Sequence, residues 1–150
     1  MPKSIFVSMA VEDLSVSRSF YTALGFEINE TFSDDKAICV AVSDTIFAML
    51  LRKDFFATFT DKELVDAKVG NEVQLSITHD SRAEVDEIAG KALAAGGTEA
   101  DTQDHGFMYS RSFEDPDGHR WDALWMDPQA ATDGPTEMTV EDIQAGITRP

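Results

Sequence analysis

Two carboxylates, Glu72 and Asp122, fall in strand-like segments at positions that alternate with apolar residues, and they are the candidate general bases of this chain. A carboxylate serves as a base near neutral pH when apolar surroundings raise its pKa. The plain alternative is that each is solvated, or paired with Arg111 or Arg120. Tyr109 and Arg111 precede the Asp115-Pro116-Asp117-Gly118 turn and are candidates to hold a polar substrate head. They share the parity of Phe113, so this role needs a bulge if Phe113 faces the core. His79 ends a strand beside an expected helix cap and reads as a surface or capping group. His119 sits in the turn and reads as solvent-facing, while His105 is a candidate mobile loop residue over a binding site. Cys39, the single cysteine, reads as a core thiol, and its solitude excludes an intrachain disulfide or a Cys-rich zinc cluster. No Gly-Xaa-Ser-Xaa-Gly elbow, phosphate-binding loop or dinucleotide fingerprint is present. Gly96-Gly97 follows a helix instead of preceding one, so it is a cap and not a phosphate cradle.

These residues need elements to position them, and 150 residues suffice for about one domain. With 43% hydrophobic and 27% charged residues the chain has a globular composition. Twelve basic against 28 acidic residues give a net charge of −16, a field that repels phosphate backbones and anionic lipid. No nucleic-acid or membrane partner is therefore expected. No apolar run approaches the ~18 residues of a membrane span, and Met1-Pro2-Lys3-Ser4 is not followed by a signal-peptide core. A cytoplasmic location follows as the expectation.

Ile5, Val7, Met9 and Val11 alternate as on a half-buried strand. Asp13 or Ser15 caps a helix over Leu14–Leu24, whose apolar stripe is Val16, Phe20 and Leu24, and Gly25 ends it. Strands are predicted over Phe26–Phe32, Ala37–Val42 and Thr45–Leu51. Residues 53–70 read as a connector carrying Phe55, Phe56 and Phe59, with a short helix over Lys62–Lys68. The order then repeats: a strand over Glu72–Thr78, a helix over Ala83–Ala95 capped by Asp80 or Ser81, and strands over Thr98–Thr102, Phe107–Phe113 and Arg120–Met126. This is a two-fold internal repeat of β-α-β-β-β, with modules at about 3–52 and 71–127 in one domain of residues 1–127. Residues 128–150 read as a tail with a helical turn over Thr139–Ala145. Parity puts Ile5/Val7/Met9, Ile46/Ala48/Leu50, Val73/Leu75/Ile77 and Trp121/Ala123/Trp125 toward the helices. The opposite face carries Phe6/Ser8/Ala10, Phe47/Met49/Leu51, Glu72/Gln74/Ser76 and Arg120/Asp122/Leu124.

Val11-Glu12-Asp13-Leu14, Phe20-Tyr21 and Leu24-Gly25-Phe26, together with Phe113-Glu114-Asp115-Pro116-Asp117-Gly118-His119, resemble the opening and closing motifs of the vicinal oxygen chelate superfamily. That group contains glyoxalase I, bleomycin-resistance proteins, extradiol dioxygenases and fosfomycin-resistance enzymes. The resemblance implies an α+β fold in which two βαβββ modules form a cupped mixed sheet, and a homodimer. It implies a small-molecule ligand in the cup, held by Phe6, Ser8, Phe47, Met49 and Gln74 with Tyr109 and Arg111. Phe6, Phe47, Met49, Glu72, Gln74 and Asp122 are expected to converge on one cavity.

Metal-dependent members place one His, Gln or Glu on each of four strands, and carried over these positions fall on Phe6, Met49, Glu72 and Asp122. A phenyl ring has no donor atom and a thioether is too soft for a hard cation. No cofactor is therefore expected, and a divalent metal is disfavoured. The implied function is a metal-independent binder of a small organic molecule, like the bleomycin-resistance proteins. The alternatives are a metal-dependent glyoxalase-like lyase or isomerase resembling lactoylglutathione lyase, a dioxygenase-type enzyme, and an interaction scaffold using the acidic surface.

Overall fold

The alternating segments do pair, and they pair into two sheets of one plan. The structure is a computed structural model that describes residues 2–134. The predicted turn at Thr139–Ala145 lies outside those residues. The first module runs β1 (Ile5–Val11), α1 (Leu14–Ala23), β2 (Glu27–Ile28), β3 (Ala37–Ala41) and β4 (Ile46–Arg52). A short helix α2 (Lys53–Phe56) and a 3-10 turn (Ala57–Phe59) follow. The second module runs β5 (Gln74–Thr78), α3 (Arg82–Ala94), β6 (Thr98–Asp104), β7 (Met108–Glu114) and β8 (Arg120–Met126), and α4 (Pro128–Asp133) comes after it. The sheet orders are β1-β4-β3-β2 and β5-β8-β7-β6, so the internal repeat is a repeat of topology. In each sheet the first strand pairs parallel with the last and the other neighbours are antiparallel.

Burial follows the predicted parity along the strand centres, but Ile5, Ile46 and Val73 of the same parity are exposed at or just ahead of the strand starts. Val11, Val40, Ala48, Leu50, Trp121 and Ala123 are buried on the helix side of the strands. Asp13 caps α1 by accepting from the Ser15 and Val16 amides, and Ser81 caps α3 by accepting from Glu84. Gly25 and Gly96 adopt positive φ just past the two helices, where a residue with a Cβ is strained. One core serves both modules. Phe20 and Tyr21 of α1 pack on Phe113 and Trp121 of the second module, with ring centroids 6.4 and 5.8 Å apart. The polar tip of Tyr21 is satisfied inside that core by Asp115 and Trp121.

Five elements depart from the sequence expectation. β5 begins at Gln74, which leaves Glu72 and Val73 in the loop ahead of it, and α4 forms over Pro128–Asp133 in the segment read as a tail. The strand predicted over Phe26–Phe32 stops at Ile28, because the Asn29 side chain accepts the Thr31 amide and starts a 3-10 turn over Glu30–Phe32. Lys62–Lys68 forms no helix; the chain coils earlier, at Lys53–Phe59, directly after β4. β6 continues to Asp104, past the predicted Thr102, through an irregularity between Glu99 and Thr102.

Candidate functional site

β1 and β5 are edge strands of their sheets, so the gap between them has no strand to fill it. Residues 56–73 cross this gap as a strap. Their path is set by the β7–β8 turn: a Cβ on Gly118 would lie 2.8 Å from the Ala67 carbonyl group and the Lys68 nitrogen, so only glycine lets the strap backbone pass. Beneath the strap is a cavity of about 440 Å³, within the range of small-molecule sites. β1 contributes Ser8 and Ala10 with Val7 and Met9, and the strap contributes Phe56, Phe59, Leu64 and Val65. Glu63, Lys62, Glu72, His119 and Arg120 supply the charged and titratable groups. Apolar walls with a few polar groups suit an organic ligand more than an ion.

The predicted site residues distribute unevenly. Of the six expected to converge, Glu72 alone lines this cavity, in the loop ahead of β5. Ser8 of β1 lines it too, as do Val7, Met9, Val73 and Leu75, which the parity reading turns toward the helices. Phe6 and Phe47 are register partners whose rings stack at 4.6 Å, outside the cavity on the same sheet face. Met49 pairs with Ser8 and Cys39 on that face. Cys39 is buried as expected of a core thiol, and burial pushes its thiol pKa up. In the second sheet Gln74 donates to Asp122 at 3.0 Å, Ser76 donates to the same oxygen at 2.9 Å, and Ser112 donates to the other. A carboxylate has about four lone-pair sites, and here three are committed to the protein. Asp122 is thus a hub of its own sheet, and its proton-accepting capacity is largely used.

Several expectations need correction. Tyr109 and Arg111 do not face the cup. β7 pairs with β8 without interruption from Met108 to Glu114, so both residues share the core-facing side of Phe113. There Tyr109 donates to Asp86 of α3 at 2.6 Å, and Arg111 pairs with Asp86 and Glu99. Arg82 lies over the rings of Tyr109 and Trp125 and pairs with Asp104, whose carboxyl it holds down at about 2. These side chains tie α3 to its sheet. His105 is buried, with its ring beside Phe107, and is no mobile loop group. His119 does not face solvent: its Nε2 stands 2.7 Å from the Ala10 carbonyl oxygen and joins the two modules at the cavity wall. His79 is half-buried, and loss of solvation pushes its pKa below the ordinary imidazole value.

The four carried-over metal positions do not make a donor set. Phe6 is stacked on Phe47, Met49 offers only sulfur, and both oxygens of Asp122 already accept hydrogen bonds. Among the described residues no group of three or more His, Cys, Asp and Glu side chains is placed to hold a metal. A divalent ion does not fit this arrangement, which leaves Glu72 as the one uncommitted ligand of the four.

Arg120 enters the sequence reading as a residue of the opposite sheet face and a possible carboxylate partner, but not as a ligand-binding group. The strap escapes that reading, with no signal beyond its cluster of phenylalanines.

The sequence from residue 5 to 123 matches the family described as the Glyoxalase/Bleomycin resistance protein/Dioxygenase superfamily. The chain belongs to this superfamily. No curated protein matches it. Among solved structures, a hypothetical protein from S. aureus is 28% identical, with 83% of this chain and 94% of that one covered and a TM-score of 0.71. A glyoxalase/bleomycin resistance protein/dioxygenase family enzyme from Burkholderia phytofirmans is 16% identical over 83% of this chain and 99% of that one, with a TM-score of 0.69. Lactoylglutathione lyase from Agrobacterium tumefaciens is 16% identical over 83% and 94%, with a TM-score of 0.60. The superfamily fold is shared with these proteins, and a fold does not specify chemistry. Among the described residues no helix is long and apolar enough to cross a membrane.

Proposed function

We propose that this superfamily member binds a small organic molecule in the cavity between β1 and β5, without a metal. The observation that carries this reading is the cavity itself: about 440 Å³ between two unpaired strand edges, with apolar walls and few polar groups. Membership in a superfamily that includes bleomycin resistance proteins supports it. The test is protein-observed NMR with uncharged aromatic fragments small enough for the cavity. Shifts are expected to cluster on the amides of Ser8, Ala10, Gly70, Asn71 and Glu72. Ala10→Phe fills the space from the β1 side and is expected to weaken binding about tenfold or more while the protein stays folded. Shifts confined to the Phe6–Phe47 face, or binding unchanged in Ala10→Phe, would overturn the placement.

Metal independence has its own test, because it rests on side-chain chemistry at four positions. Protein purified without chelator is expected to carry substoichiometric transition metal by elemental analysis. One equivalent of Ni, Zn, Mn or Fe per chain, lost in Glu72→Gln, would reverse the reading and make a metal-dependent lyase or isomerase the better one.

A further inference from the structure

In a chain of net charge −16 carboxylates are plentiful, and nearly all the arginines pair with one. Of the five among the described residues, Arg18 pairs with Glu30, Arg52 with Asp54, Arg82 with Asp104, and Arg111 with Asp86 and Glu99. Arg120 is the exception. It has no ion pair among the described residues, and its Nε is buried without a hydrogen-bond partner there. Opportunity is not lacking. Its cross-strand neighbours on the same sheet face are Gln74 and Glu114, and Glu114 is an acid at ion-pairing register. Gln74 instead donates to Asp122. Arg120 lines the cavity, as do Glu63 and Glu72, but neither acid pairs with it.

A half-buried guanidinium with an unsatisfied donor is costly unless something accepts its hydrogens. Its planar fork matches a carboxylate. Met9, Phe56, Phe59 and Leu64 line the same cavity and offer apolar and aromatic surface. Glu63 and Glu72 on the same wall offset Lys62 and Arg120, so the cavity has no net positive charge to hold a doubly charged phosphate, whereas a single carboxylate can take the planar fork of the unpaired arginine. We infer that the ligand of this cavity is a small monocarboxylate with an apolar or aromatic body, its carboxylate received by Arg120. This rests on the cavity-binding reading above and adds the ligand's chemical class.

The experiment compares 4-phenylbutyrate with its uncharged counterpart 4-phenylbutan-1-ol by calorimetry and NMR, on the full chain. The acid is expected to bind about tenfold or more tighter than the alcohol. Arg120→Gln, which keeps donors and removes charge, is expected to abolish that preference while leaving alcohol binding unchanged. Raising salt should narrow the preference as well. If acid and alcohol bind equally to the natural protein, or if Arg120→Gln retains the preference, carboxylate recognition fails while cavity binding stands. If neither probe shifts the cavity amides, both readings fail. The acid–alcohol comparison in the natural protein needs no variant, so a folding defect in Arg120→Gln would not protect the inference.

Discussion

Asp115→Ala is expected to destabilise the protein by about 3–5 kcal/mol, enough to consume a large part of a domain's net stability. Asp115 is 3% exposed and serves both modules. One carboxylate oxygen accepts the Tyr21 hydroxyl at 2.6 Å, and the other accepts the amides of Asp117 and His119 at 2.9 and 2.8 Å. Trp121 in turn donates to the Tyr21 oxygen at 3.0 Å. Alanine therefore orphans a buried hydroxyl hydrogen and two turn amides at once. Asp115→Asn keeps the oxygen that serves the turn but presents N–H to a tyrosine oxygen already accepting from Trp121, so about 1–3 kcal/mol is expected for it. Urea unfolding at neutral pH checks the order, and a double-mutant cycle with Tyr21→Phe isolates the shared bond.

The pH dependence of this pair carries a definite sign. Burial holds the Asp115 carboxyl above the ordinary carboxylate range, although His119 and the Tyr21 hydrogen bond pull the other way. An acid whose folded pKa is raised binds its proton more tightly when folded. Its contribution is present below the unfolded pKa and lost as pH rises through the folded one. Lowering the pH from neutrality through that raised pKa toward the ordinary carboxylate range is thus expected to increase the stability of the natural protein relative to Asp115→Asn. A difference that shrinks on acidification would show that the native pair favours the ionised form, as an exposed salt bridge does.

Local periodicity reached the elements and stopped at their assembly. The alternation of Ile5 to Val11 and the caps at Asp13 and Ser81 are local facts and appear in place. The strand read over Glu72–Thr78 begins at Gln74, and of the stripe Val16, Phe20 and Leu24 the last two are buried and Val16 is exposed. Parity also held enough to show that Tyr109 and Arg111 follow Phe113 to the core side; the ligand role given to them needed a bulge that β7 does not have. What the sequence could not show was the distance between sheets. Whether Ser8 faces Arg120 or Phe6 faces Asp122 depends on how the two edge strands stand apart, and that is set by Tyr21, Asp115, His119 and the strap, residues up to a hundred positions apart. The strap is irregular, so no period marks it. His119 looked solvent-exposed because its turn is polar, yet the same turn is the clamp between modules.

Gly118→Ala is expected to cost about 2–5 kcal/mol and to displace the cavity roof. Two separable effects contribute. Gly118 has φ of 91°, which any side chain disfavours, and its missing Cβ leaves room for the backbone of Ala67 and Lys68 at 2.8 Å. Backbone atoms cannot rotate away as a side-chain tip can, so the strap or the turn must move as a unit. Gly25 separates the two effects, because it has φ of 98° and nothing within 4 Å of the place an alanine methyl would take. Gly25→Ala should therefore show the conformational cost alone, about 1 kcal/mol, and the excess in Gly118→Ala measures the strap contact. Hydrogen exchange supplies the second reading. Amides of residues 60–72 are expected to lose protection in Gly118→Ala and to keep it in Gly25→Ala, and the cavity's affinity for aromatic fragments should fall only in the former. Equal destabilisation by both substitutions, with strap protection unchanged, would mean that the strap is not seated on the β7–β8 turn. The cavity would then need another roof.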